Sequence, residues 1–591
     1  MRSTYKSLTT LLTVAALLVT GCSKKLEEHP YTAFTTEFFK TPAGLQDAVN
    51  AIYAGMRYDY GPNGALAIAN VGTDEWTYGD QPRIGADGDV LVLGTYNNLT
   101  PSNGAIQTPW NRNYSHINLC NAVVDLAPGV EMDASARNVL LAEARYLRAN
   151  YYLLLVEQFG AVPLDLGSGD LKFNTVPFTG FNRLPVAELL VKDYQAMIDD
   201  LVFATQNLPD KRPANAFKLS KAAAFCLLAK VYIFRAYSAA KQADDFQNAY
   251  NAAMQVINNK DQYGMDLLAD YGDVHKQGND YNKEILFSVE RLPLNYTNNE
   301  VVNPGSDFSE KVNIANNMFN ADYTGIEVPA GSGKKPVDRV LQYGRPLRRY
   351  CPTKWLLETA FADRVNDSRF DNSFRVMWRA TNTNSPGIAV GDTAIYLPPT
   401  NRAADSMVAL GTKPYRIIAP REFYSNQNTA LNIYPNLKKY DDSLRAAVND
   451  VSGRPFVVSK FSEVYLLAAE AALGAGRPAD AVPLLNVLRE RAAYRPGLSP
   501  AELAARKAAM DITVSRVNLD FILDERTREL CGESQRWPDL AMRGKLVERV
   551  KAYNPDGGPN IQAFHVLRPI PKGQLDNVSA ADKNQYQNPG Y

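Results

Sequence analysis

The chain has little of what catalytic and metal chemistry needs. Four histidines occur in 591 residues, His29, His116, His275 and His565, with no H-E-x-x-H and no paired spacing. A histidine metal centre or a His-based triad therefore has no support. The five cysteines, Cys22, Cys120, Cys226, Cys351 and Cys531, are scattered without a C-x-x-C. That argues against a zinc site or a dense disulfide framework and leaves room for a single disulfide. Net charge is also missing: 63 basic residues balance 63 acidic ones, so no overall field draws nucleic acid or an anionic membrane face. No segment reaches about 18 uninterrupted apolar residues, the length a membrane span requires. The GSGKK at Gly331 lacks the preceding glycine and following Ser or Thr of a phosphate loop. Asp87 and Asp89 bring two carboxylates where calcium takes six to eight oxygens. Asp524, Glu525, Arg526, Arg528 and Glu529 sit at helical spacing, which suits an ion-pair face better than an acid pair for glycoside cleavage. No cofactor is implied, and the chain does not read as an enzyme.

What is present begins with a processing signal. Arg2 and Lys6 precede the apolar run Leu8 to Val19, too short for a span and suited to a signal-peptide core. It ends in Val19-Thr20-Gly21-Cys22, small residues closing on a cysteine, as at sites where bacterial lipoproteins are cleaved and acylated. Residues 1–21 are read as signal peptide and Cys22 as the lipidated residue, with several acyl chains needed for firm attachment.

The body reads as mainly α. Lys460 to Ala492 holds two apolar helical runs joined by Gly474-Ala475-Gly476-Arg477-Pro478, an αα-hairpin in which both glycines are candidates for positive φ. Small residues at Ala469, Gly476 and Ala481 have the spacing of a tetratricopeptide repeat, and Pro483 is expected to kink or delay the second helix. Ser220 to Asn258 forms a second hairpin. Further helices are expected over Thr41–Met56, from Trp110 onward, over Arg137–Pro163 and over Pro185–Leu208, with a short one over Thr353–Phe361. Stacked pairs, over about 110–260 and 457–550, share a core no single pair can bury, giving an irregular tetratricopeptide-like superhelix with long inserted loops and a few short strands.

The carboxyl-terminal third carries E-R-x-x-E-L at Glu525–Leu530. It is followed by E-x-x-R-W-x-D-L-x-x-R-G-K-L at Glu533–Leu546, P-I-P at Pro569–Pro571 and a final Q-N-P-G-Y. With the alanine-rich hairpin and the W-x3-Y-x2-I run at Trp110, this resembles the SusD/RagB group of outer-membrane nutrient-binding lipoproteins over nearly the whole mature chain. The resemblance implies a lipid-anchored, surface-exposed protein that captures oligosaccharides, sits over a SusC-like TonB-dependent barrel and passes them to it. Peptide or other nutrient capture on the same scaffold, a lipid-anchored hydrolase and a pure assembly scaffold are the alternatives.

Two stretches lose the helical period, about 70–109 and 292–440, and are rich in Gly, Asn and Tyr. Long irregular loops in a compact protein are usually functional or disordered. Aromatic rings there either plug back onto the body or present flat faces to a ligand. Read the second way, the candidate ligand residues are Trp76, Tyr78, Asp74 and Asn97 in the first stretch and Tyr296 and Tyr323 in the second.

Overall fold

The computed structural model describes residues 36–79, 88–167, 186–291, 311–411, 413–423, 432–578 and 583–591. Cys22, expected to be the lipidated residue, and Tyr296, one of the expected ligand residues, lie outside them.

The frame is helical, and the sequence places most helices to within a few residues. α1 (Pro42–Gly55) is capped by Thr41, whose hydroxyl accepts from the Gly44 N–H at 3.0 Å. After it come α2 (Asn63–Asn70), α3 (Gly88–Thr95), α4 (Gly104–Leu126), α5 (Ala134–Phe159) and α6 (Val186–Asn207). α7 (Lys221–Tyr237) and α8 (Asp245–Asn258) form one hairpin, α9 (Phe461–Gly474) and α10 (Pro478–Ala492) another. α11 (Leu519–Leu530), α12 (Arg536–Met542) and α13 (Leu546–Tyr553) complete the frame. From α4 to α10 each helix packs on the next, including α8 on α9 across some two hundred intervening residues. The two expected groups of hairpins are thus one continuous superhelix.

Four expectations need correction. The stretch 70–109 is not loop throughout: it holds α3, and α4 begins six residues before Trp110 with Pro109 inside it. Of the two hairpin glycines only Gly476 has positive φ, at +75°. Gly474 is small because a Cβ there would meet the Phe246 ring of α8 at 2.4 Å. Pro483 neither delays nor ends α10, which runs unbroken to Ala492 with the proline on its exposed face. Its cost is one backbone hydrogen bond, outweighed by burial of Ala481, Leu485 and Leu488. Cys120, Cys226, Cys351 and Cys531 are buried free thiols, so no disulfide forms among them.

Short strands tie the insertions to the frame. β1 (Trp76–Tyr78) pairs antiparallel with β3 (Tyr350–Pro352), Trp76 opposite Pro352. β2 (Ile285–Val289) pairs with a strand at Phe456–Lys460 that leads directly into α9, so the long insertion leaves and re-enters the frame at one place. The expected short helix near Thr353 is a π turn, Trp355–Ala360. The alternating run around Trp378 is a strand, Met377–Arg379. No described helix is long and apolar enough to cross a membrane.

Candidate functional site

The aromatic residues nominated in the loops do not face solvent. Trp76 and Tyr78 are 0% and 1% exposed, because the polar T-D-E-W run folds inward as β1. The Trp76 indole meets the Phe319 ring edge-on at 4.7 Å and lies parallel to Phe374 at 6.2 Å. Asp74 is fully buried and receives Arg536 on both oxygens, at 2.7 and 2.6 Å, and Arg549 at 3.0 Å. Burial would raise its pKa, but the two guanidiniums prevail and hold it below the usual carboxylate range. Tyr323 is 0% exposed, parallel to Trp378 and donating to the Gly344 carbonyl. These four residues are core and pairing residues, and a covered ring has no face to give a ligand. Asn97 is exposed, but it does not line a cavity described below.

The sequence did not single out the residues that do line a cavity. Between α2, α3, α4 and α5 lies a pocket of about 410 Å³, within the range of small-ligand sites. One wall is the segment Tyr58-Asp59-Tyr60 that leaves α1. Gly61 follows at φ +111°, where a side chain would strike Arg291 and the Asn313 backbone. Arg291 donates to the Tyr60 carbonyl, and Ile314 N–H donates to the Gly61 carbonyl at 3.1 Å. The turn carrying both tyrosines is therefore gripped by residues flanking the stretch 292–310. Asp89, Val90, Ala105 and Thr108 supply the opposite wall. Of the two stretches nominated as ligand loops, the first lines the pocket, through different residues from those expected. The second sends no described residue into the lining and only braces the Tyr58–Gly61 turn through Asn313 and Ile314.

Chemically the pocket offers rings and hydrogen-bonding groups. The half-buried Tyr58 ring has Arg112 above it at 4.6 Å and Lys311 at 5.4 Å. The Asn113 amide lies 3.0 and 3.1 Å from the two Asp59 oxygens. Burial pushes Asp59 up to about 8, with Asn113 opposing. Burial likewise pushes Glu157 up to about 8, Lys230 opposing and Asp539 adding. At neutral pH both carboxyls are largely protonated, each offering one O–H donor and one acceptor. Asn63, Gln158 and Ser534 add further polar groups, and no Lys or Arg is among the lining residues. Among the described residues no group of three or more His, Cys, Asp or Glu is placed to hold a metal ion.

The sign of the Glu157 shift makes a test of stability. A carboxyl whose folded pKa lies above its unfolded value binds protons better when folded, so its contribution falls as pH rises from the unfolded value near 4.5 to about 8. Glu157→Gln cannot lose that proton. The melting temperature of the variant relative to the parent is expected to rise between pH 5 and about pH 8 and to level off above it; a pH-independent difference would count against the buried, protonated form.

The ion-pair face foreseen on α11 is real and more deeply buried than expected. Glu525 takes Arg369 and Arg528 at 2.7 Å each and Arg489 at 2.8 Å, while Asp524 pairs with Arg549 at 2.8 Å. These carboxylates are fully committed to structure.

Two family models match the chain: "SusD family" over residues 275–591, and "Starch-binding associating with outer membrane" over residues 26–233. Among curated proteins it is 27% identical to SusD-like protein P2 of Formosa agariphila, over 98% of each chain. It is 26% identical to a SusD-like protein of Bacteroides ovatus over 50% of this chain and 51% of that one. Among solved structures it resembles a laminarin-binding SusD-like protein, with a TM-score of 0.65 and 21% identity, over 93% of this chain and all of that one. It also resembles the surface glycan-binding protein A of Bacteroides fluxus, with a TM-score of 0.63 and 16% identity, over 93% of this chain and 99% of the other. The first of the two family models covers more than half the chain, its matched segment contains the motifs of α11 and α12, and the superhelical frame is shared with the solved structures: the chain belongs to the SusD family.

Proposed function

We propose that this protein is the capture subunit of a nutrient-uptake pair at the outer membrane. It is a lipoprotein held through Cys22 that binds oligosaccharides and hands them to a SusC-like TonB-dependent barrel. The observation that carries the reading is the pocket of about 410 Å³ with Tyr58 and Tyr60 on one wall and Asp59, Asn63, Glu157 and Gln158 converging on it. Sugar hydroxyls exchange water hydrogen bonds for protein ones at a net gain of about 1 kcal/mol each. Affinity therefore needs a ring face as well, and a covered aromatic adds several kcal/mol at most, at about 25 cal/mol/Å². Neutral carboxyls beside amides suit an uncharged polyol, since neither partner has to shed a full charge's hydration. Relatives named for laminarin and glycan binding support a saccharide over a peptide as the ligand.

The test is a calorimetric panel of neutral oligosaccharides and peptides against the mature protein and Tyr58→Ala. A neutral oligosaccharide is expected to bind. The variant should weaken it at least about tenfold, or about 1.4 kcal/mol, with an unchanged melting temperature. Peptide binding without saccharide binding, or equal affinity in the variant, would overturn the reading of this pocket.

A further inference from the structure

A second concavity, of about 400 Å³, lies where the β1–β3 pair meets the end of α13, and it shares no lining residue with the first. Its floor is layered. Tyr553, the last residue of α13, is 40% exposed and lies nearly parallel to the Trp355 indole, with centroids 5.3 Å apart and planes at 24°. Trp355 is 5% exposed, with the Arg536 and Arg549 guanidiniums over its ring at 5.6 and 5.3 Å. Both arginines are fixed by the buried Asp74 carboxylate. The phenol is thus the outermost layer of a stack anchored in the core, and a ligand stacking on it would order little that is not already ordered.

The backbone under this platform is irregular where regularity was available. Trp355 opens a π turn in which Phe361 N–H donates to the Leu356 carbonyl at 3.3 Å, five residues back. Such widened turns cost hydrogen-bond geometry and are found often at functional sites. Here the turn places Lys354, Glu358 and Thr359 together on the rim of the concavity. Lys354 lies only 3.8 Å from Glu358, a loose and exposed pair. Across the cleft Lys551, also exposed, makes no ion pair among the described residues. An open aromatic face flanked by an unneutralised ammonium differs in kind from the first pocket, whose lining holds carboxyls and no cation.

We propose that this cleft is a second saccharide site, selective for anionic sugars. The sugar ring stacks on Tyr553 while its carboxylate or sulfate pairs with Lys551; on the opposite rim Lys354 is offset by Glu358, so Lys551 carries the preference for charge. Stacking supplies affinity to any sugar ring, and the ammonium supplies the preference for charge. The site stands on its own residues and does not depend on the first pocket.

The experiment is calorimetry on the mature protein with an oligogalacturonide, a sulfated galactose oligomer and the uncharged galactose oligomer of the same length. At least one anionic probe is expected to bind, more weakly as salt rises, and at least about tenfold more tightly than the neutral oligomer. Lys551→Gln should remove most of that preference, and Tyr553→Ala should reduce binding of the same probe at least about tenfold. Lys551→Arg should restore it, and Tyr58→Ala should leave it unchanged. Lys551 is exposed, so its variants report on the site without loss of fold. Absence of binding by both anionic probes would overturn the proposal, as would anionic binding unaffected by Lys551→Gln or lost with Tyr58→Ala. Neutral-oligosaccharide binding that depends on Tyr58 would survive any of these results, which separates failure here from failure of the function proposed above.

Discussion

Trp76→Ala is expected to destabilise the fold by about 3–5 kcal/mol, the range for truncating a large buried aromatic, and to leave oligosaccharide affinity of the folded protein unchanged. The indole is fully covered, packed against Phe319 and Phe374, and carried on a strand whose partner begins at Tyr350. Removing it opens a void that β1, held on one side by β3 and on the other by Asp74 and its arginines, has little freedom to close. Urea denaturation checks the first half of the expectation as a lower midpoint at unchanged slope. Calorimetry below the transition checks the second, because Trp76 lines neither concavity. An affinity loss at constant stability would mean the ring spends its time outside the core.

The same residue shows why frame and site were not equally readable from the sequence. Helices announce themselves through a local period, so α1, α5, α6, α8 and α9 fall within a few residues of expectation. A three-residue strand has no period to read, and T-D-E-W-T-Y among Gly, Asn and Asp looks like exposed loop. Its burial depends on a strand at 350–352 and on arginines at 536 and 549, more than 250 and 450 residues away. Arg536 was visible within a recognisable motif and Arg549 just beyond it; that they needed a buried carboxylate was not. Tyr58 and Tyr60 went unnoticed because they sit between the end of one helix and a Gly-Pro break, where two aromatics pass for ordinary packing residues. Only the grip of Arg291 and Ile314 on that turn makes them one wall of a pocket. The motif on α12 was legible as a family mark and illegible as physics. Arg536 serves Asp74, Asp539 serves Arg526 and Arg543, and Arg543 serves Glu470 on α9. Spacing reveals only the pairs lying within one helix.

Glu533, at the head of that motif, is a point at which several parts of the frame depend on one side chain. One of its oxygens takes Lys439 at 2.7 Å, Lys460 at 2.8 Å and the His275 ring at 3.1 Å, and both lysine side chains are 1% exposed. Burial alone would raise the Glu533 pKa; the two ammoniums outweigh it and hold it well below the usual carboxylate range. Lys460 closes the strand that leads into α9, and Lys439 follows the strand at Asn436–Leu437, so this carboxylate fastens the insertion, the hairpin and the end of α11 to one another. Glu533→Gln keeps the shape and removes the charge, leaving two buried ammoniums with carbonyl acceptors such as that of Glu529. Breaking a buried pair from one side costs about 3–5 kcal/mol, and with two cations stranded the upper end is expected. Adding Lys439→Met and Lys460→Met should recover part of the loss, since the stranded charges go with them; a triple variant no more stable than the single one would place the damage in packing. The acid limb gives an independent reading. A carboxylate with a depressed folded pKa stabilises above its unfolded value near 4.5, and that contribution disappears as pH falls through the folded value. Between pH 5 and pH 2 the parent should therefore lose more stability than Glu533→Gln, and their urea midpoints should converge as the acid protonates what the substitution has already neutralised.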